Sequence, residues 1–200
     1  MKQCLTTVLL CTAVSFNALA ADPAAGEGKA ALCVACHGPA GNSANPEWPK
    51  LAGQHAKYTA KQVRDFMEGV TRSNELMAPM IAGLSDQDIE DISAYYAIQK
   101  STGGFASEEV HALGERIYRG GNAESGVPAC IACHGPRGRG NGPAGFPALA
   151  GQHAVYTAKQ IEDWRHGNRS NDSAEMMADA VRYLTPEETR AVSEYIAGLH

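Results

Sequence analysis

Long apolar runs are scarce in this chain of 200 residues, and the most apolar stretch lies at its beginning. That stretch, CLTTVLLCTAV, follows Lys2 and precedes the small residues ALA. It is shorter than the ~18 apolar residues that a membrane-spanning helix needs, and the pattern is typical of an export signal. We therefore expect a signal peptide over residues 1–20, cleavage before Ala21, a periplasmic location and no membrane-spanning segment in the mature chain.

Cysteine is equally sparse. Cys4 and Cys11 belong to the expected leader, and Leu10 stands where a lipid anchor at Cys11 would require a small residue. The other four cysteines all lie in two Cys-x-x-Cys-His motifs, LCVACHGPAG at 32–41 and ACIACHGPRG at 129–138. Paired cysteines in an exported protein are most often disulfides, so a disulfide is the first alternative to consider for each motif.

Basic residues are too few and too scattered for a nucleic-acid-binding protein. The chain has 17 Lys+Arg against 22 Asp+Glu and contains no basic run. Nucleic-acid binders usually concentrate positive charge on one face, so the composition predicts no nucleic-acid partner.

Alternating strand patterns are absent, and the periodic segments indicate helices. Ser85 and Thr185 have the features of N-caps, with Pro186 at the first helical position of the second of these helices. Two further helices, which begin in the YTAKQ segments, are expected to stop at Gly69 and Gly167. These signals predict an all-α fold.

Two halves of the chain are copies of one another. LAGQHAKYTAKQ at 51–62 and LAGQHAVYTAKQ at 149–160 share eleven of twelve residues at an offset of 98. Such a match indicates tandem duplication. A cut near KSTGGF predicts an N-terminal domain at 21–102 and a C-terminal domain at 103–200, each with a formal net charge of minus three.

Aromatic residues make up only 6% of the chain, a small supply for two cores. Domains of this size usually need an added core element, which suggests a large prosthetic group. Cys-x-x-Cys-His can attach haem c: the two thiols form thioethers, and the histidine takes an axial position on the iron. The motifs therefore predict two covalent haem c groups, held by the pairs Cys33 with Cys36 and Cys130 with Cys133, and by His37 and His134 as iron ligands.

Other uses of the motif fit less well. A thioredoxin-like site follows a strand in a βαβ unit, which this sequence does not indicate. A zinc site would require all four cysteines to converge from two separate units and would leave His37 and His134 unexplained.

Haem iron in electron carriers takes a sixth ligand, usually methionine or histidine. Met77 and Met177 pair at an offset of 100, each seven residues before the leucine that precedes a helix cap, so we expect these two to be ligands. Alignment through the RSN segments would instead pair Met80 with Met177. The recurring His55 and His153 leave a bis-histidine haem as a further alternative. The remaining candidates, Met67, Met80 and Met176, are expected to be core or haem-pocket residues.

Two more pairs recur near the motifs. The carbonyls of Pro49 and Pro147 are placed to accept a hydrogen bond from the second ring nitrogen of each ligand histidine, which would fix its orientation. Arg72 and Arg169 are candidates to face haem propionates.

Taken together, CVACHGPAGNS, PKLAGQHAKYTAKQ, MAPMIAGLSDQDIEDISAYY, CIACHGPRGRGN, FPALAGQHAVYTAKQ and EYIAGL make the chain resemble the dihaem cytochrome c4 family of bacteria. The resemblance implies two class I-like cytochrome c domains, each wrapped around one haem c, with ligands at His37 and Met77 and at His134 and Met177. It also implies a periplasmic electron carrier, with a membrane quinol-oxidising complex as donor and a terminal oxidase as acceptor. Members are often strongly dipolar between domains, whereas the two halves here carry equal charge.

Two functional classes are consistent with paired haems. An electron carrier needs two six-coordinate irons, whereas a dihaem peroxidase-like enzyme needs one iron with an open position. The short chain, with no unmatched Glu-His cluster, favours a carrier without enzymatic activity.

Overall fold

The computed structural model describes residues 20–200, so the predicted signal peptide lies outside the described residues except for Ala20. Within that range the chain is helical, and extended pairing is limited to isolated bridges. The helices are α1 (Pro23–Lys29), α2 (Val34–His37), α3 (Ala56–Glu68), α4 (Met77–Ile81), α5 (Asp86–Ala97), α6 (His111–Gly120), α7 (Ile131–His134), α8 (Ala154–Arg165), α9 (Met176–Val181) and α10 (Pro186–Gly198). The predicted all-α fold is confirmed.

Helix ends follow the local signals closely. Ser85 and Thr185 each accept a hydrogen bond from a backbone N–H in a complete capping box, and Pro186 begins α10. Helix α3 ends before Gly69, whose φ of 68° is left-handed. Helix α8 ends at Arg165, one residue earlier than expected, with His166 as the C-cap.

In each half, the first helix crosses the last helix and packs against it. Helix α1 packs on α5 and helix α6 packs on α10. At each crossing a glycine lets the backbones touch: a Cβ on Gly26 would lie 2.1 Å from the Asp91 carbonyl oxygen, and one on Gly114 would lie 2.2 Å from that of Ala191. No side chain fits at either position, so glycine is required for the close approach.

The two cores differ in size. In the C-terminal half, ten buried residues form one cluster: Ile117, Tyr118, Val127, Ile161, Trp164, Val181, Leu184, Val192, Tyr195 and Ile196. The corresponding cluster of the N-terminal half contains Ala30, Ile92 and Tyr96. The stability of the N-terminal half therefore depends more on contacts outside its own hydrophobic cluster.

The segment between the halves is tied to the N-terminal half. Asn42 donates from Nδ2 to the Lys100 carbonyl at 3.1 Å and accepts from the Thr102 N–H at 2.8 Å. Lys50 Nζ donates to the Thr102 carbonyl at 2.6 Å. These bonds hold the linker against the domain it leaves.

Candidate functional site

The two Cys-x-x-Cys-His motifs adopt the same local structure. Cys33 is the N-cap of α2 and Cys130 is the N-cap of α7, and each of these short helices ends at the motif histidine. None of the four motif cysteines takes part in a disulfide. The spacing therefore places two thiols and one imidazole on a single helical turn in both halves, as attachment to one flat group requires.

Both motif histidines are buried and held in one orientation. His37 is 7% exposed and its Nδ1 lies 2.9 Å from the Pro49 carbonyl oxygen, and His134 is 6% exposed and its Nδ1 lies 3.0 Å from the Pro147 carbonyl oxygen. A carbonyl can only accept, so Nδ1 is the protonated nitrogen and Nε2 keeps its lone pair. The contacts predicted for the two prolines are confirmed, and each imidazole is in the tautomer suited to bind metal through Nε2.

Burial favours neutral forms of these groups. It lowers the pKa of His37 and of His134, although the bonds to the proline carbonyls partly oppose this. Burial also raises the pKa of the Cys130 thiol to about 11.

A zinc site needs thiolates gathered around one ion. Residues 20–200 contain no cluster of three or more His, Cys, Asp or Glu that could hold a metal ion, so the zinc alternative has no structural support.

Both predicted methionines lie at the beginning of short helices rather than in loops. Met77 is the first residue of α4 and Met177 the second of α9, and both are half-buried. The Met77 N–H donates to Asn74 Oδ1 at 3.0 Å, and the Met177 N–H donates to Asp172 Oδ2 at 2.6 Å. The other three candidates, Met67, Met80 and Met176, are more exposed, at 41%, 42% and 46%.

Two residues other than glycine have left-handed backbone conformations in the methionine segment of the second half. Ala174 and Glu175 adopt left-handed conformations, with φ of 53° and 57°, just before α9. Residues other than glycine rarely adopt this conformation, so the backbone is strained just before the methionine pair of the second copy. Met177 and Cys130 both pack against the C-terminal core cluster.

His55 and His153 lie at the interface between the halves rather than beside a motif. Each precedes an interface helix as its N-cap residue. His55 Nε2 donates to the Arg139 carbonyl at 2.9 Å, and His153 Nε2 lies 3.0 Å from the Ser43 carbonyl oxygen. These partners give both histidines an interdomain role, which weakens the bis-histidine alternative.

Arg72 and Arg169 are buried at the same interface, at 7% and 6% exposure. Arg72 NH2 donates to Tyr156 Oη and to Gln160 Oε1, both at 2.9 Å. Arg169 NH2 donates to Tyr58 Oη and to Gln62 Oε1, also at 2.9 Å. Each guanidinium also stacks on an aromatic ring of its own half, on Phe66 for Arg72 and on Trp164 for Arg169.

These two cations lack direct counter-charges among residues 20–200. All of their hydrogen-bond partners are neutral: Gln62, Tyr156 and Gln160 for Arg72, and Tyr58, Gln62, Gln160 and Asn171 for Arg169. Burial alone would raise the pKa of Tyr58, yet the charges of Arg169 and Arg72 lower it. The carboxylate of Asp65, which binds Asn171, contributes negative charge to the same network and raises the pKa of Arg169, so a contact of these arginines with haem propionates stays a prediction.

Sequence reasoning missed two pairs of residues. Gly26 and Gly114, at the helix crossings, occur in segments that lack a recognisable repeat signal. Gln54 and Gln152 bond across the interface. Their signal was present in the repeated LAGQHA, but identity between two copies does not reveal that the copies face each other.

Comparison with known proteins finds similarity over both halves of the chain. The family model for cytochrome c matches residues 24–97 and 112–200. Cytochrome c4 of Azotobacter vinelandii is 47% identical over the whole of both chains. A protein of Stutzerimonas stutzeri named thiosulfate dehydrogenase electron acceptor is 40% identical, over 85% of this chain and 80% of its own.

A solved structure supports the same comparison. Reduced recombinant cytochrome c4 from Pseudomonas stutzeri superimposes with a TM-score of 0.88 and 48% identity, covering 90% of this chain and 100% of that one. The similarity extends across both halves, so it covers the duplicated arrangement as well as the single domain.

Proposed function

The chain belongs to the cytochrome c4 family, and from this premise we propose that it carries electrons in the periplasm from a membrane quinol-oxidising complex to a terminal oxidase. It is an electron-transfer protein rather than an enzyme, and it binds two haem c groups. Among residues 20–200, no helix is long and apolar enough to cross a membrane.

We assign one haem to each half. Cys33 and Cys36 would attach the first haem and Cys130 and Cys133 the second, with His37 and Met77, and His134 and Met177, as the axial ligands. The Nδ1 bonds to proline carbonyls support the histidines, because they leave Nε2 available. The equivalent helix-start positions of Met77 and Met177, both half-buried, support the methionines. When bound, haem iron supplies the one-electron redox chemistry.

The proposed domain limits are 21–102 and 103–200, after a signal peptide at 1–20. They are supported by the two matched segments, which leave residues 98–111 between them, and by the end of α5 at Ala97 and the start of α6 at His111.

One observation carries the carrier function: both motif histidines are buried and oriented in the same way, so the chain builds two centres of one kind. A peroxidase-like enzyme would need two different centres, one of them open to substrate. Neither the relatives nor the structural neighbour supports that alternative.

Carbon monoxide added to the reduced protein tests this function. If both irons are six-coordinate, the visible spectrum changes little on mixing. Rapid binding at one haem would reveal an open position and contradict the carrier assignment.

A second donor deserves a test because two relatives are named thiosulfate dehydrogenase electron acceptor. The oxidised protein should be mixed separately with quinol-oxidising membranes and with a thiosulfate dehydrogenase plus thiosulfate. Faster reduction by the membranes supports the proposed donor. Faster reduction by the dehydrogenase assigns the chain to thiosulfate oxidation instead.

A further inference from the structure

The side chain of Gln152 reaches from the C-terminal half to one residue of the N-terminal half. Its Oε1 accepts from the Lys50 N–H at 2.9 Å, and its Nε2 donates to the Lys50 carbonyl at 2.9 Å. One amide thus satisfies both backbone groups of one residue, as a neighbouring strand would.

Gln54 makes the same contact in the opposite direction. Its Oε1 accepts from the Ala148 N–H at 2.9 Å, and its Nε2 donates to the Ala148 carbonyl at 2.9 Å. Gln54 and Gln152 occupy equal positions in the repeat, so the interface has approximate two-fold symmetry at this point.

The residues that the glutamines bind adjoin the prolines that orient the motif histidines. The Lys50 N–H and the Pro49 carbonyl belong to one peptide group. That group accepts from His37 Nδ1 through its oxygen at 2.9 Å and donates to Gln152 Oε1 through its nitrogen at 2.9 Å. A continuous chain of hydrogen bonds therefore runs from His37 to a side chain of the other half.

The second copy repeats this chain. The peptide group between Pro147 and Ala148 accepts from His134 Nδ1 at 3.0 Å and donates to Gln54 Oε1 at 2.9 Å. Each half thus completes the hydrogen bonding around the motif histidine of the other half.

Hydrogen bonds in such chains strengthen one another. A peptide group that donates through N–H has a more negative carbonyl oxygen, which accepts more strongly from the imidazole. A stronger bond at Nδ1 raises the basicity of Nε2, and a more basic ligand favours oxidised iron.

We propose that each haem is tuned from the opposite domain: Gln152 lowers the reduction potential of the first haem through His37, and Gln54 lowers that of the second through His134. The proposal rests on the proposed function, because it takes both histidines as iron ligands. Gln54 and Gln152 are positioning residues that act through a peptide group and touch no haem iron.

The variants Gln152→Leu and Gln54→Leu test the crossed pattern, each as the control of the other. In a potentiometric titration of the full haem-loaded protein, Gln152→Leu should raise the reduced-to-oxidised ratio of the first haem at a fixed solution potential by about twofold and leave the second unchanged. Gln54→Leu should raise the same ratio for the second haem and leave the first haem unchanged. NMR of the reduced protein should show the Nδ1–H of His37 moving only in the first variant.

Gln99→Leu is the matched control, because Gln99 Nε2 bonds to the Tyr95 carbonyl at 3.0 Å within the N-terminal half and takes no part in either chain. This variant should leave the reduction potentials of both haems unchanged. Three results with both haems redox-active would overturn this proposal alone. The glutamine variants could leave both reduction potentials unchanged, they could shift both potentials together, or each could shift the potential of the haem in its own domain. Absence of redox-active haem would overturn the proposed function.

The unmodified protein offers a check that does not depend on the folding of a variant. The amide protons of Lys50 and Ala148 should exchange with solvent far more slowly than amide protons of exposed loops, because each is held by a glutamine of the other half. Exchange at the rate of an open loop would contradict the contacts on which the tuning depends.

Discussion

At the scale of single residues, the surroundings of the motif histidine are closely repeated in the two halves. His37 and His134 are both buried and have the same protonated nitrogen and the same kind of acceptor, a proline carbonyl. Because the orientation comes from backbone oxygen, substitution of the proline side chain alone need not remove the bond. The bond depends on the position of the carbonyl oxygen, and a glutamine of the opposite domain holds that peptide group in place.

The proposed methionine ligands can be tested one at a time. Met77→Ala and Met177→Ala should each remove about half of the sulfur-to-iron absorption band of the oxidised protein, since each lies in its own repeat. Visible absorption spectroscopy measures this directly.

Met80→Ala is the control for that experiment, because Met80 lies on the same short helix as Met77 but is 42% exposed. It should leave the band intact. If Met80→Ala removed half of the band and Met77→Ala did not, the alignment of the two copies through RSN would be the correct one.

At the scale of elements, the contact between the first and last helix of each half depends on a missing side chain. Gly26→Ala would force a methyl group into the Asp91 carbonyl, so it should lower the free energy of unfolding by about 1–3 kcal/mol. Denaturant unfolding of the haem-loaded protein, followed by circular dichroism, measures the change.

Gly28→Ala serves as the matched control on the same helix, since a Cβ there would meet nothing within 4 Å. It should be neutral or stabilise the protein by about 0.5–1 kcal/mol, because alanine favours helix more than glycine does. Equal destabilisation by the two variants would show that helix α1 is sensitive for another reason.

The attachment of α1 to α5 also depends on pH. The pKa of Asp91 is lowered by the Asp22 N–H, then by Lys29 and by Gln87, whereas the repeat places Ala191 at the equivalent position. A lowered pKa stabilises the folded state above the unfolded pKa, and this stability is lost as the pH falls below about 4. Acid should therefore loosen α1 before α6.

Hydrogen exchange of α1 and α6 at pH 6 and pH 3 checks this expectation. The capping-box carboxylates Asp88 and Glu188 occur in both halves, but Asp88 also pairs with Lys29 of α1 at 2.7 Å, so the difference should come from Asp91 and Asp88 together. In Asp91→Asn the acid response of α1 should become closer to that of α6. An equal response of the two helices in the unmodified protein would be the contrary result.

At the scale of the whole molecule, the two halves have the same arrangement of helices but hydrophobic clusters of different size. The C-terminal cluster has ten buried residues and the N-terminal cluster has three. Buried apolar area is the main source of stability, so the N-terminal half should open first as denaturant rises. Native-state hydrogen exchange in increasing denaturant should show α5 losing protection before α10, and the reverse order would contradict this reading of the cores.

Much of this arrangement could be predicted from local patterns. The capping residues Ser85 and Thr185 and the acceptors Pro49 and Pro147 were correctly predicted, because each depends on neighbours close in the chain. The packing of the two halves was not predicted. The eleven shared residues of the repeat indicate common ancestry, but only the folded structure shows that Gln54 and its copy each bind the opposite half.

The arginines illustrate the same limit. The contact of Arg72 and Arg169 with propionates stays a prediction, whereas the structure shows that both halves share in binding each guanidinium. A contact between residues about a hundred positions apart has no local signature, since helix propensity and capping depend on near neighbours only.

If each half holds one redox-active haem, the whole molecule can carry two electrons. Coulometric titration of the purified mature protein tests it most directly, because it counts electrons per chain. We expect reversible uptake of two electrons per chain in one-electron steps. Uptake of a single electron per chain, or of none, would contradict it.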